Sequence, residues 1–354
     1  MKKKKVIYIY FALSTFVKKD IDILSSRYKI KTFDFYVNAS AKWKILVRFI
    51  QQFFFLLRHG LNADLVVCQF AGYHTFLPVL LASVLGKPSL IVAGGTESVA
   101  FPSIRFGNFQ RKYLRFFTKW SLKHSTHISP KHESLWWCPY TYTTDDYSEQ
   151  GIKFFIPKIK TPHTVIYNGY DGTVFKPTGA ERKNNFLTVT AGMEYSFQKQ
   201  LKGIDLMLEV APEFPEYTFT IVGATAESGF PDKPSNVILY PKLGQRELID
   251  MYSSSRYYMQ LSLAEGFPNA LCESMLCGCV PFGSSVFSLP EIIDNTGYIL
   301  EHKDADLLKA LIRKALSEYR PDKGQAARQR ILDNYGLEKR VRRFSKLTSD
   351  LIEK

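Results

Sequence analysis

The sequence predicts an α/β protein of two domains, each built on a parallel sheet. Three observations carry this. Short apolar runs rich in Val, Ile, Tyr and Phe recur at 6–11, 63–69, 187–192, 217–223 and 257–263, and begin the strand and loop at 89–97; they read as buried strands. Stretches of helical spacing separate them, and parallel strands need such crossovers. At 354 residues the chain exceeds one ordinary core.

The elements follow in order. Residues 6–11 form a first strand with a basic start. Residues 2–5 have the charge of a signal-peptide n-region, but Lys18, Lys19 and Asp20 follow too soon and no cleavage site is evident. A short helix at 20–24 and a strand at 28–35 come next. Residues 41–61 are helical in pattern, apolar on most faces, and carry only basic charges. That segment fits either a helix covering the sheet or one lying in a membrane interface. Residues 109–124 have the same character. Strands at 63–69 and 89–97 each end in a loop, and loops at carboxyl strand ends are where open α/β sheets bind ligands. Residues 136–160 are polar and aromatic and have no clear place. A second βα series starts at 186, with strands at 187–192, 217–223, 237–240 and 257–263 and helices at 206–211 and 244–254. No Gly-x-Gly-x-x-Gly follows a strand, which excludes the usual nicotinamide dinucleotide site. Helices at 305–319 and 335–352 close the chain.

Composition narrows the function. Hydrophobic content of 45% and charged content of 23% are those of a globular protein. The five cysteines lack zinc-ligand spacing and are expected to be reduced. No run of about 18 uncharged apolar residues exists, so no spanning helix is expected. Through Lys131 there are 21 Lys and Arg against 5 Asp and Glu, and the remainder is near neutral. Such a basic half points to an anionic partner: membrane surface, nucleic acid or acidic substrate. No nucleic-acid motif accompanies it.

The densest signal is Ala264-Glu265-Gly266-Phe267-Pro268-Asn269-Ala270-Leu271-Cys272-Glu273, after the apolar run 257–263. It reads as strand, glycine-containing loop and helix, with Pro268 at the first helical position. Unpaired N–H groups and the dipole make that helix start an anion site. Glu265 and Glu273 would repel a phosphate, but an ionised carboxylate accepts hydroxyl donors. A phosphate beside a polyol describes a nucleotide sugar.

This stretch, with its small-residue helix and Val280-Pro281, resembles the signature of family 4 retaining glycosyltransferases of the GT-B fold, the glycosyl transferases group 1. Asn168-Gly169-Tyr170-Asp171 resembles the family's linker, and Leu289-Pro290-Glu291 its Pro-Glu-Ile segment. The resemblance implies two facing Rossmann-like domains with a donor cleft. They would span 1–165 and 179–336, with a hinge at 166–178 and a final helix at 337–354 packing back on the first. It implies that Lys202, before Gly203, touches the donor diphosphate together with amides of the Pro268 helix start, and that Lys199 replaces a family arginine otherwise expected near Met193. Glu273 would accept from ribose hydroxyls. Glu265, with Gly266, Phe267, Pro268, Asn269 and Ala270, would hold sugar hydroxyls, and Pro241 and Lys242 would line the base. The family's histidine near the transferred sugar falls on Gly94, leaving His74 and Glu97 to occupy that space. A histidine near a helix start also serves merely to bond backbone. The catalytic set is therefore Glu265, Lys202, Glu97 and His74. No metal and no cofactor is expected beyond the donor substrate.

The implied activity is retaining sugar transfer to a glycan or lipid-linked acceptor in bacterial surface polysaccharide or lipopolysaccharide synthesis. The enzyme would be cytoplasmic, or peripheral on the inner membrane face, and would bind no nucleic acid. Alternatives are an epimerase or phosphorylase on the same fold, and a non-catalytic, membrane-associated sugar-nucleotide-binding protein.

Overall fold

The computed structural model describes residues 3–37, 43–190, 193, 197–225, 230 and 232–353. Parts of some sequence readings lie outside these residues, among them the start of the 41–61 segment and the end of the 187–192 strand. The chain divides into two compact units. Unit 1 comprises Met1–Cys138, Glu149–Asn168 and Glu338–Lys354, and unit 2 comprises Pro139–Ser148 and Gly169–Leu337.

Unit 1 contains β1 (Lys5–Tyr10), α1 (Thr15–Ser25), β2 (Lys29–Asp34), α2 (Lys44–His59), β3 (Leu65–Gln69), α3 (Phe76–Val84), β4 (Ser89–Ala93), α4 (Lys112–His124) and β5 (His127–Pro130). Two short strands, β6 (Cys138–Pro139) and β7 (Glu149–Gln150), flank the excursion into unit 2, and α5 (Ile152–Phe155) follows. The sheet runs β2-β1-β3-β4-β5 with every pair parallel. Alternation along β1 separates two cores. Ile7 and Ile9 pack with Leu56 of α2, Val79 of α3 and Leu122 of α4. Val6 and Tyr8 pack with Val17 and Leu24 of α1 and with Phe344, Leu347 and Leu351.

Those last three residues belong to the terminal helix, whose Arg340 is buried against α1. Its Nε and Nη2 donate to Asp20 Oδ1 at 3.0 and 2.6 Å, and Nη1 donates to the Ile166 and Tyr167 carbonyls. A buried ion pair endures only when its remaining hydrogen-bonding capacity is met. Here two carbonyls and the Tyr8 hydroxyl, 3.2 Å from Asp20 Oδ2, meet it.

Unit 2 contains β8 (Lys183–Val189), α6 (Phe197–Leu201), α7 (Ile204–Val210), β9 (Thr218–Val222), β10 (Val237–Tyr240), α8 (Gln245–Ser254), β11 (Ser255–Gln260), α9 (Asn269–Leu276) and β12 (Val280–Ser284). Then come α10 (Leu289–Ile293), β13 (Tyr298–Leu300), α11 (Ala305–Ser317), α12 (Asp322–Tyr335) and α13 (Leu337–Glu353), the last passing into unit 1. The sheet order is β10-β9-β8-β11-β12-β13, all parallel. An aromatic stack of Phe186, Phe219, Tyr257 and Phe282 fills its centre. Strand order reverses at β8 and β11, so the loops following those strands diverge to opposite sides. Such a switch point is where doubly wound sheets bind ligands.

Some sequence boundaries shift. Pro268 is the N-cap of α9 rather than its first helical residue, with φ −74° and ψ 118°. Its missing N–H is equally tolerable there, because no intrahelical bond uses it. The helix expected at 206–211 runs from Ile204 to Val210, with Lys202 just before its N-cap Gly203. Lys202 joins the short helices α6 and α7, because Gly203 takes φ +67° and breaks the run.

Candidate functional site

In unit 2 the switch-point loops bring Lys202 and Glu265 together. Leu263 N–H donates to the Leu201 carbonyl at 2.9 Å, seating the α6–α7 link on the end of β11. A methyl group at Gly203 would lie 2.0 Å from the Leu261 carbonyl oxygen, so that approach needs glycine. Lys202 Nζ is then 2.5 Å from Glu265 Oε1, with side chains 27% and 12% exposed. Gln260 Nε2 and Ser262 Oγ each donate to the same oxygen at 2.9 Å. Tyr258 OH donates to Gln260 Oε1 at 3.1 Å, which fixes the amide so that its NH2 faces Glu265. Among the described residues nothing donates to Oε2. Glu265 is thus a rigidly held carboxylate with one oxygen saturated and one available.

Helix α9 starts four residues later. Its C-terminal carbonyls are held by two guanidinium groups: Arg182 Nη2 donates to Cys277 O at 2.6 Å, and Arg328 Nη1 donates to Leu276 O. Cations at that end complement the dipole and anchor the helix. At the other end Tyr170 OH donates to Asn269 Oδ1 at 2.9 Å, and Phe267 packs between the Tyr170 and Tyr335 rings. Gly266, Phe267 and Pro268 are buried, while Asn269, Ala270 and Glu273 are half-buried. Glu273 sits one turn into the helix. Burial raises the Tyr252 and Tyr258 phenols, and the negative charge of Glu273 raises them further.

The remaining unit 2 candidates lie elsewhere on the same sheet end. Lys199 Nζ stands 4.1 Å from the Phe230 ring centroid, a cation–π contact. Met193 is buried. Pro241 and Lys242 are exposed in the loop after β10, which is tied to β9 by Gly223 and Ala224 N–H donation to the Tyr240 carbonyl.

In unit 1, His74 is buried in a 3-10 turn before α3. Its Nε2 lies 2.8 Å from the Gln69 carbonyl, and a carbonyl only accepts, so that nitrogen carries the proton. Burial holds the imidazole down to about 4, only partly opposed by that bond, so it stays neutral at pH 7. Glu97 is fully buried. Gly94 N–H donates to its Oε1 at 2.5 Å, and the Thr96 hydroxyl is 3.4 Å from its Oε2. Burial raises the Glu97 carboxyl, while backbone N–H donors and Lys131 oppose the shift. Gly94 has no room for any side chain, because a Cβ would lie 2.2 Å from Phe70 Cε1. A phenylalanine ring therefore fills the space beside that loop.

Sequence reasoning missed Gln260 and Ser262. Their signal was present: Tyr258, Gln260 and Ser262 are polar at alternate positions of an otherwise apolar strand, which puts them on one face. Among the described residues no group of three or more His, Cys, Asp or Glu side chains gathers as a metal site would.

Comparison with known proteins bears out the resemblance. Residues 196–331 match the family model of glycosyl transferases group 1. The O-antigen chain mannosyltransferase B of Escherichia coli is 32% identical over 19% of this chain and 18% of its own length. The serotype-specific mannosyltransferase WbdA of Escherichia coli is 32% identical over 27% of this chain and 12% of its own length. The chain thus matches less than half the length of these relatives. Among solved structures, a sucrose-phosphate synthase from Thermosynechococcus elongatus superposes with a TM-score of 0.74 at 13% identity, covering 99% of this chain and 100% of its own. Anabaena HepE, in complex with UDP-glucose, superposes with a TM-score of 0.69 at 12% identity, covering 98% and 99%. The fold class expected from the sequence, α/β with two Rossmann-like parallel-sheet domains of the GT-B kind, is the fold observed.

Proposed function

We propose that this chain, related to glycosyl transferases group 1 through residues 196–331, transfers a sugar from a nucleotide-diphosphate donor bound at the unit 2 switch point. One observation carries the reading: Lys202 and Glu265 meet at 2.5 Å beside the α9 start, where a cation, a carboxylate and helix amides converge. The diphosphate gains charge as the glycosidic bond breaks. Lys202 and the α9 amides would take that charge, the role of preorganised donors in transfer chemistry. The reaction needs no metal on this reading. The free Oε2 of Glu265 would accept sugar hydroxyls and Glu273 ribose hydroxyls. Transfer proceeds with retention, to a glycan or lipid-linked acceptor of bacterial surface polysaccharide. Titrating a panel of nucleotide sugars into wild type, Lys202→Ala and Glu273→Ala tests this. One donor should bind wild type, and both variants should bind it at least about tenfold more weakly.

A second part of the reading concerns the membrane. On α2, Trp43 at its N-cap, Leu46, Ile50, Phe53 and Phe54 are exposed, Trp43 at 70% and Phe54 at 64%. On α4, Tyr113 and Phe116 are exposed. Phe49 and Phe117 join the two helices with ring centroids 6.1 Å apart. Neither helix carries an acid, and both carry several Lys or Arg. Exposed aromatics set among cations fit the interface of an anionic bilayer. Among the described residues no helix is long and apolar enough to cross a membrane. Flotation with vesicles of phosphatidylcholine, with and without phosphatidylglycerol, tests the attachment. Binding only to the anionic vesicles, lost in Phe53→Ser/Phe54→Ser, is the expected result.

A further inference from the structure

Three donors crowd one oxygen of Glu265. Lys202 Nζ at 2.5 Å, Gln260 Nε2 at 2.9 Å and Ser262 Oγ at 2.9 Å all meet Oε1. Among the described residues nothing donates to Oε2. An ionised carboxylate offers about four lone-pair sites, roughly two to each oxygen. Oε1 therefore holds one donor more than its lone pairs accommodate.

The three are held unequally. Gln260 and Ser262 are buried, 3% and 0% exposed. The Gln260 amide oxygen accepts from the Tyr258 hydroxyl at 3.1 Å, and its Nε2 also donates to Ser262 Oγ at 2.8 Å. The Ser262 carbonyl accepts from the Ser284 hydroxyl of β12 at 2.6 Å. Donor directions in this set close without conflict: Tyr258 to Gln260, Gln260 to Ser262 and Glu265, Ser262 to Glu265. Lys202 instead reaches in from the α6–α7 link on a flexible stem, with its side chain 27% exposed. Of the three donors it alone can leave without opening the buried network. A partly exposed ion pair is weak, so its departure costs little.

We propose that Lys202 is a two-position ammonium. It rests on Glu265 Oε1 in the empty site, moves to the diphosphate of a bound donor, and returns to Glu265 as the nucleoside diphosphate leaves. The proposal rests on the donor reading of unit 2 and adds the step that frees the product. Gln260 and Ser262 keep Oε1 satisfied while the ammonium is away, so Glu265 stays in place with Oε2 open to sugar hydroxyls. After transfer no sugar remains on Oε2, and the carboxylate competes with the diphosphate for the Lys202 ammonium. Glu265 thereby weakens the site for bare nucleoside diphosphate. Gln260 and Ser262 are positioning residues that act through it.

The test is titration calorimetry on the full chain. ADP, CDP, GDP, UDP and dTDP are the probes, and the one that binds is carried through wild type, Glu265→Gln, Lys202→Met and the double variant. Glu265→Gln keeps an acceptor for Gln260 and Ser262 but loses the charge that holds Lys202. It should bind the nucleoside diphosphate about two- to fivefold more tightly than wild type, the factor that a partly exposed ion pair is worth. In the Lys202→Met background the same substitution should lose most of that gain. Gln260→Leu, which leaves Oε1 more dependent on the ammonium, should bind the diphosphate more weakly than wild type. The ligand-free melting temperature of each variant checks the fold. An equal gain in both backgrounds would show plain charge repulsion and overturn the exchange, as would no gain in either. Binding that needs Lys202 but shows no gain in Glu265→Gln sinks the exchange and leaves the donor reading standing. Wild type that binds none of the five probes, or Lys202→Met that binds as tightly as wild type, sinks the donor reading and the exchange with it.

Discussion

Each unit places a glutamate and a lysine in loops after its parallel strands, and the two sets are built differently. In unit 2, Lys202 and Glu265 touch at 2.5 Å, and both are partly open. In unit 1, Glu97 and Lys131 are buried and make no ion pair. The acid is held by backbone N–H groups, and the base sits on aromatic rings. The difference lies in what each charge has for a partner. A partly exposed pair is close to neutral for stability and can exchange partners with a ligand at little expense. A buried, unpaired ammonium is a stability cost that the fold carries.

The largest expected effect tests that cost. Burial, with Arg340 second, holds the Lys131 ammonium down to about 7 from its ordinary 10.5. Between those values the unfolded chain binds the extra proton, so stability rises with pH across the window. The contribution is full above the unfolded value and is lost as pH falls through the folded one. Lys131→Met should therefore stabilise the protein below pH 7, by on the order of 4 kcal/mol, and the gain should vanish towards about pH 10.5. Urea unfolding at several pH values measures this. Lys202→Met should show no such pH-dependent gain, and an equal gain there would break the comparison.

His74 sharpens the same point at the acid end. Burial lowers it from its ordinary 6.5 to about 4. Its stabilising contribution is present above pH 6.5 and lost as pH falls to about 4. His74→Gln retains a donor for the Gln69 carbonyl but cannot titrate. Wild type should lose on the order of 3 kcal/mol more than this variant between pH 7 and 4. Parallel acid-unfolding curves would show that His74 is protonated without penalty.

The fold was largely legible in the sequence, because buried parallel strands leave apolar runs such as 63–69 and 257–263 that solvent-facing segments do not imitate. Pairings of distant residues were not. That Lys202 meets Glu265 depends on Gly203 closing onto Leu261, and that Arg340 reaches Asp20 depends on packing across 320 positions. Gly94 stands out in the sequence as a departure, but the reason for it, the Phe70 ring, lies on another strand end. The segment at 139–148 resisted reading because it leaves unit 1 and joins unit 2, so no local periodicity describes it.

Smaller effects probe the unit 2 network. Gln260→Leu removes one of three donors to Glu265 Oε1 and leaves the Tyr258 hydroxyl without its acceptor. It should lower stability by about 1–3 kcal/mol. It should also weaken nucleotide-sugar binding, which calorimetry of the variant checks. Tyr170→Phe removes the bond to Asn269 Oδ1 and should lower stability by about 1 kcal/mol, with the aromatic packing around Phe267 kept.

The most direct measurement is titration calorimetry of one nucleotide sugar, identified from the panel, against wild type and Lys202→Ala at pH 7.5 without added metal. The account predicts binding to wild type and an affinity at least about tenfold weaker in the variant. Equal affinity in both proteins would contradict it, because a diphosphate at the unit 2 switch point must feel the Lys202 charge.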